Sequence, residues 1–319
     1  MTTLETQHAV GATSNSPAVA TWLTTADHKQ IGRLYIGTGL VGLLGGLVLA
    51  VLVAVERIDA TGFQILSADA APQVLAAARL LLTFGAVAPL VWGLVVAVVP
   101  LQFGSRSIAF PRLAATGFWT WFTGLALALA SIIGNGGPSG GASEMVDLYL
   151  AASAVMVLGL LATAMSVATT ALTSRAPGMG LLRSPFFSWS SFVGSITLLL
   201  ALPVYIGTAI YLYVDHRYAR AAFGGNMGVN DWIGWSVSQP FTYVLAIPML
   251  GFVLDSVPVL TRTRLSPRPV ANVAVGLVSV ALLASLTQHV VGLPWGGGGF
   301  FSGLGTKIAD LLPFGLLNV

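Results

Sequence analysis

Apolar stretches of helical length, broken by short polar segments, run along almost the whole chain. They predict spans from Ile31 to Val55, Val74 to Val99, Phe118 to Ile133, Leu148 to Leu172, Phe187 to Val214, Gly234 to Leu260 and Val270 to Val291. A hydrocarbon core about 30 Å thick needs roughly 20 apolar residues, and only the third stretch falls short of that. In lipid the backbone must satisfy its own hydrogen bonds, so such runs are read as helices. Residues 300–319 are apolar but carry Lys307, Asp310 and Pro313, and read as an interfacial helix or the stub of an eighth span. Residues 1–21 are small and polar, with neither the basic nor the apolar region of a secretory signal, and read as a flexible cytoplasmic tail. The expected fold is all-α: a polytopic transmembrane helical bundle of about seven spans over residues 22–299, flanked by that tail and by a C-terminal interfacial or partial span.

Composition strengthens this picture. Charged residues are 8% of the chain and hydrophobic ones 55%, whereas soluble domains carry about a quarter charged residues. Arginine outnumbers lysine, and alanine, glycine, valine and leucine dominate, which points to a GC-rich bacterial source and a bacterial cytoplasmic membrane. There is no cysteine, which excludes disulfides, iron–sulfur clusters and thiolate metal sites. The net charge of +3 is no nucleic-acid footprint, because the basic residues sit in short loops between spans. Those loops orient the chain. Lys29, Arg33, Arg106, Arg112, Arg175, Arg183, Arg262, Arg264 and Arg268 share one face, and only Arg57, Arg217 and Arg220 lie on the other. The positive-inside rule places the N-terminus in the cytoplasm. The glycine-rich segment from Gly134 to Ser143 and the run Gly296 to Gly299 then face outward, as flexible turns.

Three stretches in order resemble heme-copper oxidase subunit I. They are WLTTADHKQIGRLYIGTG from Trp22 to Gly39, VPLQFGSRSIAFPRL from Val99 to Leu113, and the segment from Ser188 to Leu260 that includes LLLALPVYIGTAIYLYVDH. The resemblance covers Trp22 to Phe301 and implies the first seven of the family's spans.

It also implies where heme, copper and protons would be handled, and there this chain departs from the pattern. Counting back from Pro100 with Pro89 in register, the heme-ligand histidine of the second span falls on Ala78, beside Arg79. The family's H-P-E-V-Y motif reads Gln239-Pro240-Phe241-Thr242-Tyr243, so a copper ligand is Gln239, the proton-relay glutamate is Phe241, and the tyrosine remains as Tyr243. The adjacent His-His pair reads Gln288-His289, and the aspartate at the proton entry is Ser107. His216, His289 and Met227 offer an alternative copper set near the outer surface, though histidines there are more simply surface residues. Asp255, near the inner end of the sixth span, is read as an ion-pair partner of Arg262 or Arg264 rather than a proton relay.

The expected function is a non-catalytic integral membrane subunit of a larger respiratory or redox complex. No enzymatic activity and no cofactor is expected, although a bound lipid or quinone fits the reading. The expected partners are other integral membrane subunits bearing heme or copper, and lipid. Gly42, Gly45, Gly46, Gly124, Ala126 and Ala128 allow close helix approach, inside the bundle or against a partner. A second reading is a quinone-, lipid- or apo-partner-binding protein, or an assembly factor, using the vacated heme crevice with Arg79 and Tyr243 as polar handles. A third is half of a split oxidase completed by another chain.

Overall fold

The computed structural model describes residues 22, 25–58, 66–67, 70–138, 140–218, 229–263 and 268–291. Among the described residues seven long helices follow one another: α1 (His28–Ile58), α2 (Ala70–Gln102), α3 (Pro111–Ile133), α4 (Ser143–Thr173), α5 (Phe186–Tyr218), α6 (Val229–Thr261) and α7 (Arg268–Val291). Six of them are long and apolar enough over their described residues to cross a membrane, and α7 adds a shorter apolar segment over Arg268–Ala281. An all-α membrane bundle of about seven spans is therefore what the chain folds into. The tails at 1–21 and 300–319, and the run Gly296 to Gly299, lie outside the described residues.

Helices adjacent in sequence pack side by side, α3 against α4, α4 against α5, α5 against α6 and α1 against α2, while α2 also touches α4, α5 and α6. The interior is aromatic where α1, α3 and α4 meet. Tyr35 stands edge-on to Phe118 at 4.9 Å and beside Trp121 at 5.3 Å. Its hydroxyl shares a 2.8 Å hydrogen bond with Thr163 Oγ1, which satisfies both groups away from water.

Several helices begin earlier than hydropathy suggested, α3 and α4 among them. Helix α3 starts at Pro111 rather than Phe118 because proline suits the first helical position, where its missing N–H costs nothing. Phe110 precedes it in the left-handed region at φ 50°. Helix α4 starts at Ser143 rather than Leu148, with Glu144 in its first turn where a negative charge favours the helix dipole. Hydropathy is blind to both extensions because they cross from hydrocarbon into the polar interface.

Within α2, residues Leu81–Val87 form a π-helical segment, and the N–H of Ala88 reaches Thr83 O. Pro89 explains it: the residue donates no N–H, and its ring would clash with the carbonyl one α-turn back, at Gly85. A wider turn relieves the clash. The widened segment lies against α1, where a Cβ on Gly42 would collide with the Gly85 carbonyl.

The glycine-rich segment between α3 and α4, expected as a flexible turn, carries strand pairing in its described residues. Gly136–Gly137 and Gly140–Gly141 pair antiparallel. Gln73 Nε2 on α2 donates to Gly140 O at 3.1 Å and to Asn135 Oδ1 at 3.3 Å. Gly140 and Gly141 take φ of 91° and 126°, conformations that L side chains resist.

Candidate functional site

The positions singled out by resemblance do not meet in one described cluster. Ala78 lies in the fully packed part of α2, 2% exposed, between Ala77 and Leu80. A methyl group offers iron no lone pair, so this position does not fit an axial heme ligand. Arg79, one residue on, is exposed. It lies outside the buried row of Ala76, Ala77, Ala78 and Leu80. A guanidinium at a span's end gains more by reaching the interface than by entering a dry crevice. Ser107 is exposed in the loop between α2 and α3, where its carbonyl accepts a 2.6 Å hydrogen bond from Ser105 Oγ. Gln239, Phe241 and Tyr243 ride on α6, and Gln288 and His289 on α7, but their side chains lie outside the described residues, as does Met227 altogether.

His216 is not the surface residue expected. Its side chain is 3% exposed, and Nδ1 lies 2.7 Å from Asp147 Oδ1. Arg217 Nη1 approaches Asp147 Oδ2 at 3.4 Å. The early start of α4 is the cause, because it puts Asp147 inside a helix facing the last turn of α5. Among the described residues no group of three His, Asp or Glu side chains has metal-binding geometry. Nearby, Asp215 is buried with Oδ1 unpartnered by protein.

At the opposite membrane face Asp255 is not held by Arg262. Its two carboxylate oxygens accept the backbone N–H groups of Phe186 at 3.0 Å and Phe187 at 2.8 Å. It thereby caps α5 from a neighbouring helix, satisfying N–H groups that begin a helix without intrahelical partners. Arg264 lies outside the described residues.

A cavity of about 580 Å³ opens between α1, α2 and α3 at the glycine-hairpin end. Leu49, Val74, Ala77, Leu81 and Ile132 make it apolar, while Gln73 and Asn135 give it a polar rim. Gln73 Oε1 is buried there without a protein partner. Sequence reasoning missed this site because Gln73 sits just before a span and resembles any interfacial polar residue.

The fold defines a polytopic helical membrane protein. Residues 30–301 match the family described as Cytochrome C and Quinol oxidase polypeptide I, and the chain belongs to that family. It is similar to Cytochrome c oxidase subunit 1 of Corynebacterium diphtheriae, 32% identical over 82% of this chain and 50% of that protein. It is likewise similar to Cytochrome c oxidase subunit 1 of Bacillus subtilis, 32% identical over 76% of this chain and 42% of that one. A putative cytochrome c oxidase subunit 1-beta of Streptomyces coelicolor is 28% identical over 93% of this chain and 57% of its own length. The chain thus spans about half the length of the curated relatives it matches.

Two expectations are corrected by these relatives. The chain was expected not to be an enzyme, yet its relatives are named as subunits of cytochrome c oxidase, an enzyme. No cofactor was expected, yet the family's chemistry is that of heme and copper, so membership points to cofactors. Substituted ligand positions outweighed family membership in those expectations, and such positions speak only for themselves: Ala78 does not fit heme iron, and that says nothing of groups held elsewhere.

Proposed function

We propose that this chain is a structural, accessory subunit of a larger respiratory membrane complex, packed against other integral membrane subunits that bear heme or copper. The observation that supports this most is the uneven burial of its spans. Only 22% of the most apolar window of α1 and 28% of that of α6 is buried within the chain, against 61% for α2 and α4. The relatives it matches are about twice as long. The loop charges support a bacterial plasma membrane setting with the N-terminus in the cytoplasm.

Purification in a mild detergent followed by native mass spectrometry tests this. Stoichiometric co-purification with membrane subunits is expected; a chain that stays monomeric at native expression overturns the reading. Because the chain lacks cysteine, single substitutions Ser105→Cys and Asn135→Cys test orientation. An impermeant maleimide on intact cells is expected to label only the second.

A second reading is favoured by the cavity between α1, α2 and α3. An amphiphile, a quinone or a lipid, fits its apolar wall with the Gln73 and Asn135 amides at its mouth. Extraction and chromatography of bound lipids and quinones from wild type and Gln73→Leu is the test, and equal retention by both sinks it.

A further inference from the structure

Two loops on the face that carries the start of α1 are locked together. The N–H of Ala176 donates to Phe103 O at 2.9 Å, and the N–H of Ala109 donates to Thr170 Oγ1 at 2.8 Å. Ile108, between them, is 1% exposed. Gly104, at φ 70°, stands so close to Ala176 that a Cβ there would lie 3.2 Å from the alanine methyl. The two hydrogen bonds tie the segment that carries Arg106 and Arg112 to the one that carries Arg175. Arg106 and Arg112 are exposed and Arg175 is half-buried.

No acid occurs in residues 99–113 or 170–185, and Ser107 brings no charge. None of the three guanidiniums has an ion-pair or hydrogen-bond partner among the described residues. Others are engaged: Arg217 pairs with Asp147, and Arg268 stacks on Phe186 at 4.8 Å while donating to Ser184 O. Large apolar side chains near the three guanidiniums in the chain are exposed as well. Leu101, Phe110 and Leu172 are 51%, 58% and 53% exposed. The combination is positive charge at headgroup level with bare apolar surface beside it. Guanidinium is the side chain best suited to phosphate, through paired N–H donors.

We propose that Arg106, Arg112 and Arg175 form a seat for the phosphate of an anionic phospholipid, with its acyl chains along Leu101, Phe110 and Leu172. The lipid anchors the interlocked loops to the adjoining leaflet, and because the three charges are uncompensated its binding is selective and salt-sensitive. Each basic residue near an anionic membrane contributes about fivefold in affinity, so removing all three costs about a hundredfold.

The test titrates the purified full chain with dioleoyl-phosphatidylglycerol and dioleoyl-phosphatidylcholine in native mass spectrometry. The wild type is expected to prefer phosphatidylglycerol at least tenfold and to lose that preference in R106Q/R112Q/R175Q. The R106K/R112K/R175K variant keeps most of it, because the charge remains. Equal affinity for both lipids in the wild type, or undiminished preference in the glutamine variant, overturns the proposal. Should the triple variant fold poorly, R106Q alone and the salt dependence of the wild type decide. About fivefold weaker binding and a preference that falls with rising salt are expected, and no change in either overturns it. An arm with inorganic phosphate separates the sources: release of phosphatidylglycerol by millimolar phosphate marks a soluble-anion site instead.

Discussion

Helices α1 and α4 are each 31 residues long, with comparable mean hydropathy of 2.5 and 2.1 over their most apolar windows, yet they occupy opposite situations. Helix α1 is two-sided. Its glycines meet α2: a Cβ on Gly32 would lie 2.7 Å from that of Ala97, and Gly42 meets Gly85. Val41, Leu44, Val48 and Val51 on its other side are mostly exposed. Helix α4 is clasped by α3 and α5, and its interior face carries hydroxyls. Ser153, Thr163 and Thr170 are buried and return their protons to carbonyls one turn back, at Leu150, Gly159 and Ser166. In lipid, greater hydropathy therefore does not mean deeper burial. Small and hydroxyl-bearing residues mark the packed faces, because lipid solvates large aliphatic side chains as well as protein does.

The contrast can be broken at several points. The largest effect is expected at the glycine contact. Gly42→Leu should cost about 3 kcal/mol, the upper end of overpacking penalties, because the Gly85 backbone cannot give way. Gly37 has nothing within 4 Å of its Cβ position, so Gly37→Ala should leave stability unchanged or slightly raised. Thermal unfolding in detergent compares the two, and equal effects would deny that α1 uses one face. On α4, Asp147→Ala should cost about 2 kcal/mol by leaving buried His216 without its carboxylate. The same melt reads it, and a neutral result would mean the pair is not formed. Thr163→Val should cost about 1 kcal/mol by stranding the Tyr35 hydroxyl. Adding Tyr35→Phe should recover most of that loss, a sub-additive cycle that exposed positions would not show. The smallest effect is expected at Val48→Ala on the outward face of α1, within about 0.5 kcal/mol for the isolated chain. If partner subunits cover that face, the substitution should instead reduce their co-purification.

The site was legible in parts, according to where the information resides. Ala78 is read off the chain by counting from Pro100, and the structure adds only that it is buried. The partner of Asp255 was misread because Arg262 is near in sequence, whereas the N–H groups of Phe186 and Phe187 come near only when α5 and α6 pack. His216 was taken for a surface residue because hydropathy ends its span there. Its burial depends on a carboxylate sixty-nine positions away along the chain. The expectations that failed outright, no enzyme and no cofactor, placed substituted ligands above the relationship of the whole chain to its family.

By itself the sequence determined the bundle: its spans, their approximate ends and the distribution of basic loops. These follow from the cost of placing charge and unpaired backbone in hydrocarbon, which each segment meets alone. Only the tertiary structure decided which face of each helix is packed, where α2 widens around Pro89, and which ends are tied by Gln73, Asp147 and Asp255. Those outcomes depend on contacts between segments far apart in the chain, where a glycine or a carboxylate acquires its meaning from the helix opposite.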